Sequence, residues 1–207
     1  MKLGGAVLCG GKSSRMGRPK GFLPWGNELL LQKIVRTVQQ VCSPVVIVAA
    51  KDQEVPNVSK DVEIVRDEVE GKGPMAGLVV ALKKMASEVD AVFLASCDVP
   101  FLDEATIRFL AERLDGYRAL VPRVHDTCNP LVAMYRVDLL RNLEEMLEKN
   151  CLRMQSIAEM DGVLILEEEE FVMAGQSLMS FRNINTPQEY EEALKKTKKL
   201  IHKKQWF

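Results

Sequence analysis

A short apolar run near the amino terminus ends in two glycines and a group of cations. Residues 5–8 predict a strand that ends where the glycines begin. Adjacent glycines let the backbone turn sharply and present bare N–H groups to a ligand. The glycines and the cations that follow are Gly10, Gly11, Lys12, Arg15, Arg18 and Lys20. A strand that opens into free amides and converging positive charge is typical of a polyphosphate site.

Two other interpretations of this segment stay open. Residues 6–13 are one substitution away from a P-loop, with Ala6 where the first glycine should stand. The fit is poor because a P-loop lysine and serine open a helix at once, whereas Gly17 and Pro19 would break that helix. The alternative is an ordinary surface turn with solvated charges.

Composition limits the function classes. The chain has 207 residues, of which 47% are hydrophobic, enough for the core of one α/β domain over residues 1–207. Its 28 basic and 29 acidic side chains predict no nucleic-acid partner. No apolar run approaches the roughly 20 residues that span a bilayer, so we expect no membrane partner.

Cysteine and histidine usage adds two expectations. Five scattered cysteines without a C-x-x-C pair, and an amino terminus without a signal-peptide pattern, predict reduced thiols and a cytoplasmic protein. The sequence has two histidines, His125 and His202, so we do not expect a mechanism built on histidine.

Strand and helix patterns alternate along the first two thirds of the chain. We expect strands at 44–50, 62–65, 91–95, 118–124 and 131–135, and helices at 28–41, 75–87 and 104–114. This order is typical of an α/β three-layer sandwich with a mostly parallel, Rossmann-like sheet. Ligands bind at the carboxyl ends of such strands, which would bring 10–20, 66–74 and 97–101 into one crevice.

The last third of the chain changes character but shows no linker to a second domain. We expect a helix at 137–149, a short helix at 152–160, a strand at 163–166 and a solvated edge or turn at the four acids 167–170. Thr186 and Glu189 form a capping-box pattern with Pro187 at the first helical position, which predicts a final helix.

Asp98 is the most informative single residue. It stands directly after an apolar strand, so its carboxylate is expected at the sheet edge opposite the glycine-lysine segment. Mg²⁺ takes oxygen ligands, typically one or two carboxylates plus substrate phosphates. Asp98 would therefore hold a metal that bridges a polyphosphate. The alternative is that Asp98 caps the turn before Pro100.

Five motifs spread over nearly the whole chain carry a family resemblance. They are Leu8-x-Gly10-Gly11-x-Ser13-x-Arg15-Met16-Gly17-x-x-Lys20, Gly73-Pro74-x-x-Gly77, Cys97-Asp98-x-Pro100-Phe101, Asn129-Pro130-Leu131 and Asn183-x-Asn185-Thr186-Pro187. Together and in this order they resemble the MobA-type molybdenum cofactor guanylyltransferases of the nucleotidyltransferase superfamily. The first motif alone would indicate only the superfamily, which includes cytidylyl- and sugar-phosphate nucleotidyltransferases.

The resemblance implies a fold of the nucleotide-diphospho-sugar transferase type and a reaction. GMP passes from GTP to the terminal phosphate of molybdenum-bound molybdopterin, which forms the guanine dinucleotide cofactor and releases pyrophosphate. Mg²⁺ is the implied cofactor, and transient protein partners would accept the finished cofactor. Residues from about 1 to 125 would form the nucleotide-binding half, and residues from about 126 to 207 the acceptor-binding half.

The resemblance also implies which residues carry each role. The implied nucleotide contacts are Leu8, Cys9, Gly10, Gly11, Lys20, Asp67 and Asp98, with Asp98 also binding Mg²⁺. The acceptor candidates are Arg153, Arg182, Asn183 and Asn185. Some family members carry a nucleotide-contacting asparagine after the second strand, where this chain has residues 49–51, Ala-Ala-Lys. Base selection would therefore depend more on backbone groups and on Asp67.

The chemistry agrees with the shortage of histidines. A phosphate nucleophile is already ionised at pH 7, so no general base is required. The reaction needs in-line alignment and neutralisation of charge, which Lys20, Arg15 and Mg²⁺ on Asp98 would supply as the catalytic set. Two alternatives remain: cytidylyl or sugar-phosphate nucleotidyl transfer within the superfamily, and a non-catalytic nucleotide-binding protein that delivers cofactor.

Overall fold

The computed structural model describes residues 1–10, 16–67 and 72–204, with side chains described up to residue 197. The elements in chain order are β1 Leu3–Leu8, β2 Pro24–Trp25, β3 Glu28–Leu29, α1 Leu30–Gln39, β4 Val45–Ala50, β5 Glu63–Asp67, α2 Gly73–Met85, β6 Ala91–Ser96, α3 Glu104–Arg113, β7 Ala119–Val124, β8 Thr127–Cys128, β9 Val132–Arg136, α4 Leu140–Glu148, β10 Val163–Leu166, α5 Glu168–Met173 and α6 Pro187–Lys204. These ranges confirm the alternation of strands and helices predicted for the first two thirds.

The central sheet has the order β10-β7-β9-β6-β1-β4-β5, with β8 attached to β7. Strand β1 pairs in parallel with β4 and β6, β4 with β5, and β7 with β10. Strand β9 is antiparallel to both β6 and β7. Its direction follows from its connection, because residues 125–131 are too few for the crossover that a parallel partner needs. The mostly parallel sheet is confirmed, with β9 and the short β8, which is antiparallel to β7, as the exceptions.

Helices cover both faces of this sheet, which confirms the three-layer sandwich. On one face, α1, α3, α5 and α6 pack against alternate strand residues such as Val7, Ile47 and Phe93. On the other face, α2 and α4 pack against the intervening residues, including Leu8 and Val48. Each inner strand thus buries both sets of its side chains, which accounts for its continuously apolar sequence.

Helix α1 shows how closely the layers approach. Its predicted apolar stripe is confirmed, since Leu30, Ile34 and Val38 are fully buried. A Cβ atom built on Gly5 of β1 would lie 2.3 Å from Cγ1 of Val38, so this position has room only for glycine. The helix begins two residues later than predicted because 28–29 pair with 24–25 as a small hairpin instead.

Two expectations for the last third need correction. The predicted short helix at 152–160 is a 3-10 segment, Met154–Glu159. The acids 167–170 do not form a solvated turn, because three of them open helix α5. Acidic side chains in a first helical turn interact favourably with the helix dipole. Glu167 precedes this helix and pairs with Arg123 at 2.7 Å.

The final helix begins as the capping box predicts. Glu189 N donates to Thr186 Oγ1 at 3.2 Å, and Thr186 N donates to Glu189 Oε2 at 3.1 Å. No helix in the described part of the chain combines the length and the apolar character needed to cross a membrane.

Candidate functional site

The carboxyl ends of β1, β4 and β6 lie side by side at one edge of the sheet, here called the rim. Cys97 N donates to Leu8 O at 3.0 Å, and Cys9 N donates to Val48 O at 2.8 Å. Asp67 ends β5 at the same edge, in register with Ala50 of β4. The strand ends that lead into the three predicted segments thus lie at one edge of the sheet, as predicted.

Lys20 and Asp98 meet at the rim. Lys20 Nζ lies 2.8 Å from Asp98 Oδ2 and donates a second hydrogen bond, of 2.7 Å, to Asn185 Oδ1. The Lys20 and Asp98 side chains are 16% and 18% exposed, so each is partly withdrawn from water yet open to a ligand. Ser96 Oγ donates to the other carboxylate oxygen of Asp98. Among the described residues, the Asp98 carboxylate makes these contacts instead of capping the turn before Pro100.

Local sequence explains how these three side chains are placed. Pro19 is extended and leads into the 3-10 turn Lys20–Phe22, which presents the lysine. Gly17 has φ +68°, so no helix opens at residues 16–19, as predicted against the P-loop. Asp98 follows β6 directly, and its carbonyl accepts from the N–H of the buried Ile184 at 2.9 Å. That bond brings the segment carrying Asn185 to the rim.

Gln53 ties two strand ends together and is a residue that sequence reasoning missed. Its side-chain Nε2 donates to Cys9 O, and its Oε1 accepts from Ala50 N at 3.3 Å. Arg66 holds the same loop by donating to the carbonyls of Ala50 and Gln53 at 3.0 and 2.7 Å. The only available signal was a polar residue three positions after a buried strand. The described contacts place Gln53 beside residues 49–51, where the family asparagine is missing.

Two thiols lie beneath the rim. The Cys97 thiol donates a hydrogen bond to the Cys9 sulfur, which lowers the pKa of Cys9 against the opposing effect of burial. The positive charge of Arg66 lowers it further. The same hydrogen bond, together with burial, raises the pKa of Cys97.

A cavity of about 950 Å³ adjoins the rim. It lies between the turn after β7, the end of α5 and residues 178–183, and its lining includes His125, Gln176 and two predicted acceptor residues, Arg182 and Asn183. Arg182 also pairs with Glu192 at 3.2 Å. Because Asn185 contacts Lys20 three residues further on, one short segment joins the cavity to the rim.

Five predicted site residues remain: Leu8, Gly10, Gly11, Arg15 and Arg153. Leu8 is buried against α2, where a Cβ atom on Gly77 would lie 3.0 Å from Leu8 Cδ2. Gly10 is exposed, and a Cβ atom built on it would meet nothing within 4 Å among the described residues. Arg153 is exposed and precedes Met154, which packs on the α2 and α4 face, so the structure does not bring it to the cavity. Gly11 and Arg15 lie outside the described residues.

The donor set at the rim fits a metal shared with a substrate. Within the described ranges, no group of three His, Cys, Asp or Glu side chains could hold a metal ion. Asp98 offers a partly exposed carboxylate at the rim, and Mg²⁺ commonly binds through one or two carboxylates plus substrate phosphates. Asp98 therefore fits Mg²⁺ that arrives with a polyphosphate.

The fold is that of solved nucleotidyltransferases. The 2-C-methyl-D-erythritol 4-phosphate cytidylyltransferase of Thermus thermophilus superposes with a TM-score of 0.66 at 17% identity, over 94% of this chain and 98% of that one. The molybdopterin-guanine dinucleotide biosynthesis protein A of Archaeoglobus fulgidus superposes with a TM-score of 0.77 at 25% identity, over 96% and 100%.

Sequence comparison narrows the class to a family. A model of the MobA-like NTP transferase domain matches residues 5–162. A probable molybdenum cofactor guanylyltransferase of Carboxydothermus hydrogenoformans is 32% identical over 192 residues, which cover 92% of this chain and 94% of that protein. The chain belongs to the MobA-like NTP transferase family, which confirms the resemblance seen in the motifs, and it is a nucleotidyltransferase.

Proposed function

We propose that this nucleotidyltransferase transfers GMP from GTP to the terminal phosphate of molybdenum-bound molybdopterin and releases pyrophosphate. The observation that carries the proposal is the meeting of Lys20 and Asp98, 78 positions apart in sequence, at 2.8 Å. A cation and a carboxylate side by side at the carboxyl ends of parallel strands suit a triphosphate and its metal. The names of the relatives support guanine and molybdopterin as the substrates.

Lys20 is the proposed phosphate ligand. Its ammonium group pairs with Asp98 in the structure and would turn to the triphosphate when GTP binds. There it would stabilise the charge that develops on the α-phosphoryl group and the departing pyrophosphate. Arg15 is proposed as a second cation for the same charge, since it follows the same glycine turn in the sequence.

Asp98 is the proposed Mg²⁺ ligand. Bound Mg²⁺ would neutralise charge on the triphosphate. Ser96 Oγ holds one carboxylate oxygen of Asp98, and Ile184 N holds its backbone carbonyl, so the carboxylate is fixed before any substrate arrives. Such preorganisation spares the reaction the cost of orienting the group.

The nucleotide base would lie over Leu8, Cys9 and Gly10, with Asp67 at its side. Gly10 lets the base or ribose approach the backbone closely, because a Cβ atom built on it would meet nothing within 4 Å among the described residues. Gln53 holds the carbonyl of Cys9 and is therefore a proposed positioning residue for this contact.

The cavity beside the rim is the proposed acceptor site. Arg182 and Asn183 line it, and Asn185 reaches Lys20, so an acceptor phosphate held there would lie next to the triphosphate. The proposed acceptor half therefore reaches the proposed phosphate ligand directly. Arg153 stays a prediction, with no described contact to this cavity.

The decisive experiment incubates the protein with GTP, Mg²⁺ and molybdenum-loaded molybdopterin and follows dinucleotide and pyrophosphate. Both products should form together, and omission of the pterin should abolish both. GTP with Mg²⁺ should also raise the melting temperature, whereas CTP and UTP should not. Dinucleotide formed faster from CTP would replace guanylyl with cytidylyl transfer. GTP binding without pyrophosphate release would refute catalysis and favour cofactor delivery.

A further inference from the structure

Cys9 and Cys97 are neighbours across two parallel strands. Strands β1 and β6 pair in parallel up to their last residues, Leu8 opposite Ser96, and the two cysteines follow these residues, so they leave the strand ends opposite one another. Both side chains belong to the same core cluster and therefore point to the same face of the sheet. They are 3% and 6% exposed, so both thiols are almost completely withdrawn from water.

We propose that Cys9 and Cys97 form a reversible disulfide, an oxidative modification site beneath the nucleotide loop. Neighbouring strands lie about 4.7–4.9 Å apart, and disulfides span Cα separations of about 4.4–6.8 Å. The backbone positions of the two cysteines therefore suit a disulfide without separation of the strands.

The oxidant is a peroxide, and the step balances with hydrogen peroxide. The Cys9 sulfur attacks one peroxide oxygen, the O–O bond breaks, and one water leaves after proton transfer, which gives a sulfenic acid on Cys9. The Cys97 sulfur then attacks the Cys9 sulfur, the S–O bond breaks, and the second water leaves. Two thiols lose two electrons and two protons in total, and one hydrogen peroxide becomes two waters.

The position of the pair connects it to the rim. A Cβ atom built on Gly21 would lie 3.3 Å from Cys9 Sγ, so this sulfur packs directly under the turn that presents Lys20. Cys97 precedes Asp98 in the chain. A bond that draws the two sulfurs together therefore moves the turn that presents Lys20 and the residue that precedes Asp98. The consequence for nucleotide binding rests on the proposed function, whereas formation of the disulfide does not.

The other cysteines provide the control. Cys128 and Cys151 are half-buried and more accessible to peroxide than the pair, whereas Cys42 is buried. A Cys128→Ser/Cys151→Ser variant keeps the pair and removes these competing thiols. A triple variant that adds Cys97→Ser removes the proposed partner of Cys9.

The experiment treats the full-length double variant with hydrogen peroxide, alkylates the remaining thiols, and maps the peptides by mass spectrometry. We expect a peptide linked through Cys9 and Cys97, lacking two hydrogens, that dithiothreitol separates again. The triple variant should give no such peptide. Recovery of both cysteines as alkylated thiols, or links from Cys9 to Cys42 instead, would overturn the proposal.

A second measurement separates this proposal from the proposed function. GTP–Mg²⁺ binding should weaken by about tenfold or more on oxidation, the effect of losing one charge-assisted hydrogen bond, and should return with dithiothreitol. Unchanged GTP binding by the crosslinked protein would refute the connection to the rim. If the reduced protein binds no GTP but the crosslink forms, the proposed function fails and the disulfide stands.

Discussion

Replacement of Lys20 by methionine tests the candidate site most directly. Methionine preserves most of the apolar stem of Lys20 but removes the ammonium group that contacts Asp98 and Asn185. If this group stabilises the charge that develops during transfer, its loss costs about 3–4 kcal/mol of transition-state stabilisation, or a turnover lower by about 100-fold or more. The effect should fall on turnover at saturating GTP, because the contact strengthens as charge develops.

The same substitution has a calculable effect on the unliganded protein. Both partners are less than one-fifth exposed, so Asp98 loses a charged partner in a partly desolvated place. A group left unpaired in this way costs about 1–3 kcal/mol of unfolding free energy. The Ser96 hydroxyl still donates to Asp98, which favours the lower part of that range. Urea denaturation measures this loss, and turnover is then assayed well below the unfolding midpoint.

A matched control and a double variant complete the test. Lys60 is exposed in the loop before β5, so Lys60→Met should leave pyrophosphate release unchanged. If Lys20 and Asp98 act on one triphosphate as a unit, the Lys20→Met/Asp98→Asn double variant should be no slower than the slower single variant. Turnover of Lys20→Met equal to that of Lys60→Met would refute the assigned role. Multiplicative losses in the double variant would refute the joint action.

Three further variants test other parts of the structure. Asp98→Asn should lower pyrophosphate release by about 100-fold or more even at saturating Mg²⁺, and a near-normal rate would refute the metal role. Asp103 caps α3 by accepting from Thr106 N at 2.9 Å, so Asp103→Ala should cost about 1 kcal/mol in urea denaturation without slowing turnover. The N–H of Asn185 lowers the pKa of Glu189 below its ordinary 4.5, so this carboxylate stabilises the fold above that pH and loses the contribution as pH falls. The stability difference between wild type and Glu189→Gln should therefore shrink in acid, and a difference independent of pH would contradict this.

Much of the fold could be predicted because its signals are local. The stripe of Leu30, Ile34 and Val38 has helical spacing, and the capping box at 186–189 is a four-residue pattern. The alternation of strands and helices places each loop that follows a parallel strand at the carboxyl edge, which was sufficient to bring Lys20 and Asp98 to one edge. The prediction of the rim therefore depended on topology and on no knowledge of side-chain contacts.

The features that the sequence did not predict share the opposite property. The direction of β9 depends on the short connection 125–131 and on which strands it joins, and apolar runs carry no sign of direction. The acids before and in α5 were misjudged because charge density alone does not distinguish a turn from a helix start. Gln53 was missed because its partners, Cys9 and Ala50, come together only after β1 and β4 pair.

The carboxyl-terminal segment shows why the predicted division near residue 125 does not divide the site. Ile184 N donates to the backbone carbonyl of Asp98, and Asn185 Oδ1 accepts from Lys20, so the segment proposed for the acceptor contacts both residues proposed for the triphosphate and its metal. Glu189 in turn fixes Asn185 by accepting from its N–H at 2.6 Å. If Lys20 turns toward a triphosphate as proposed, Asn185 would lose its bond to the ammonium group and its amide would become available to the neighbouring cavity. Binding of the nucleotide and preparation of the acceptor site are therefore expected to be coupled through this one side chain.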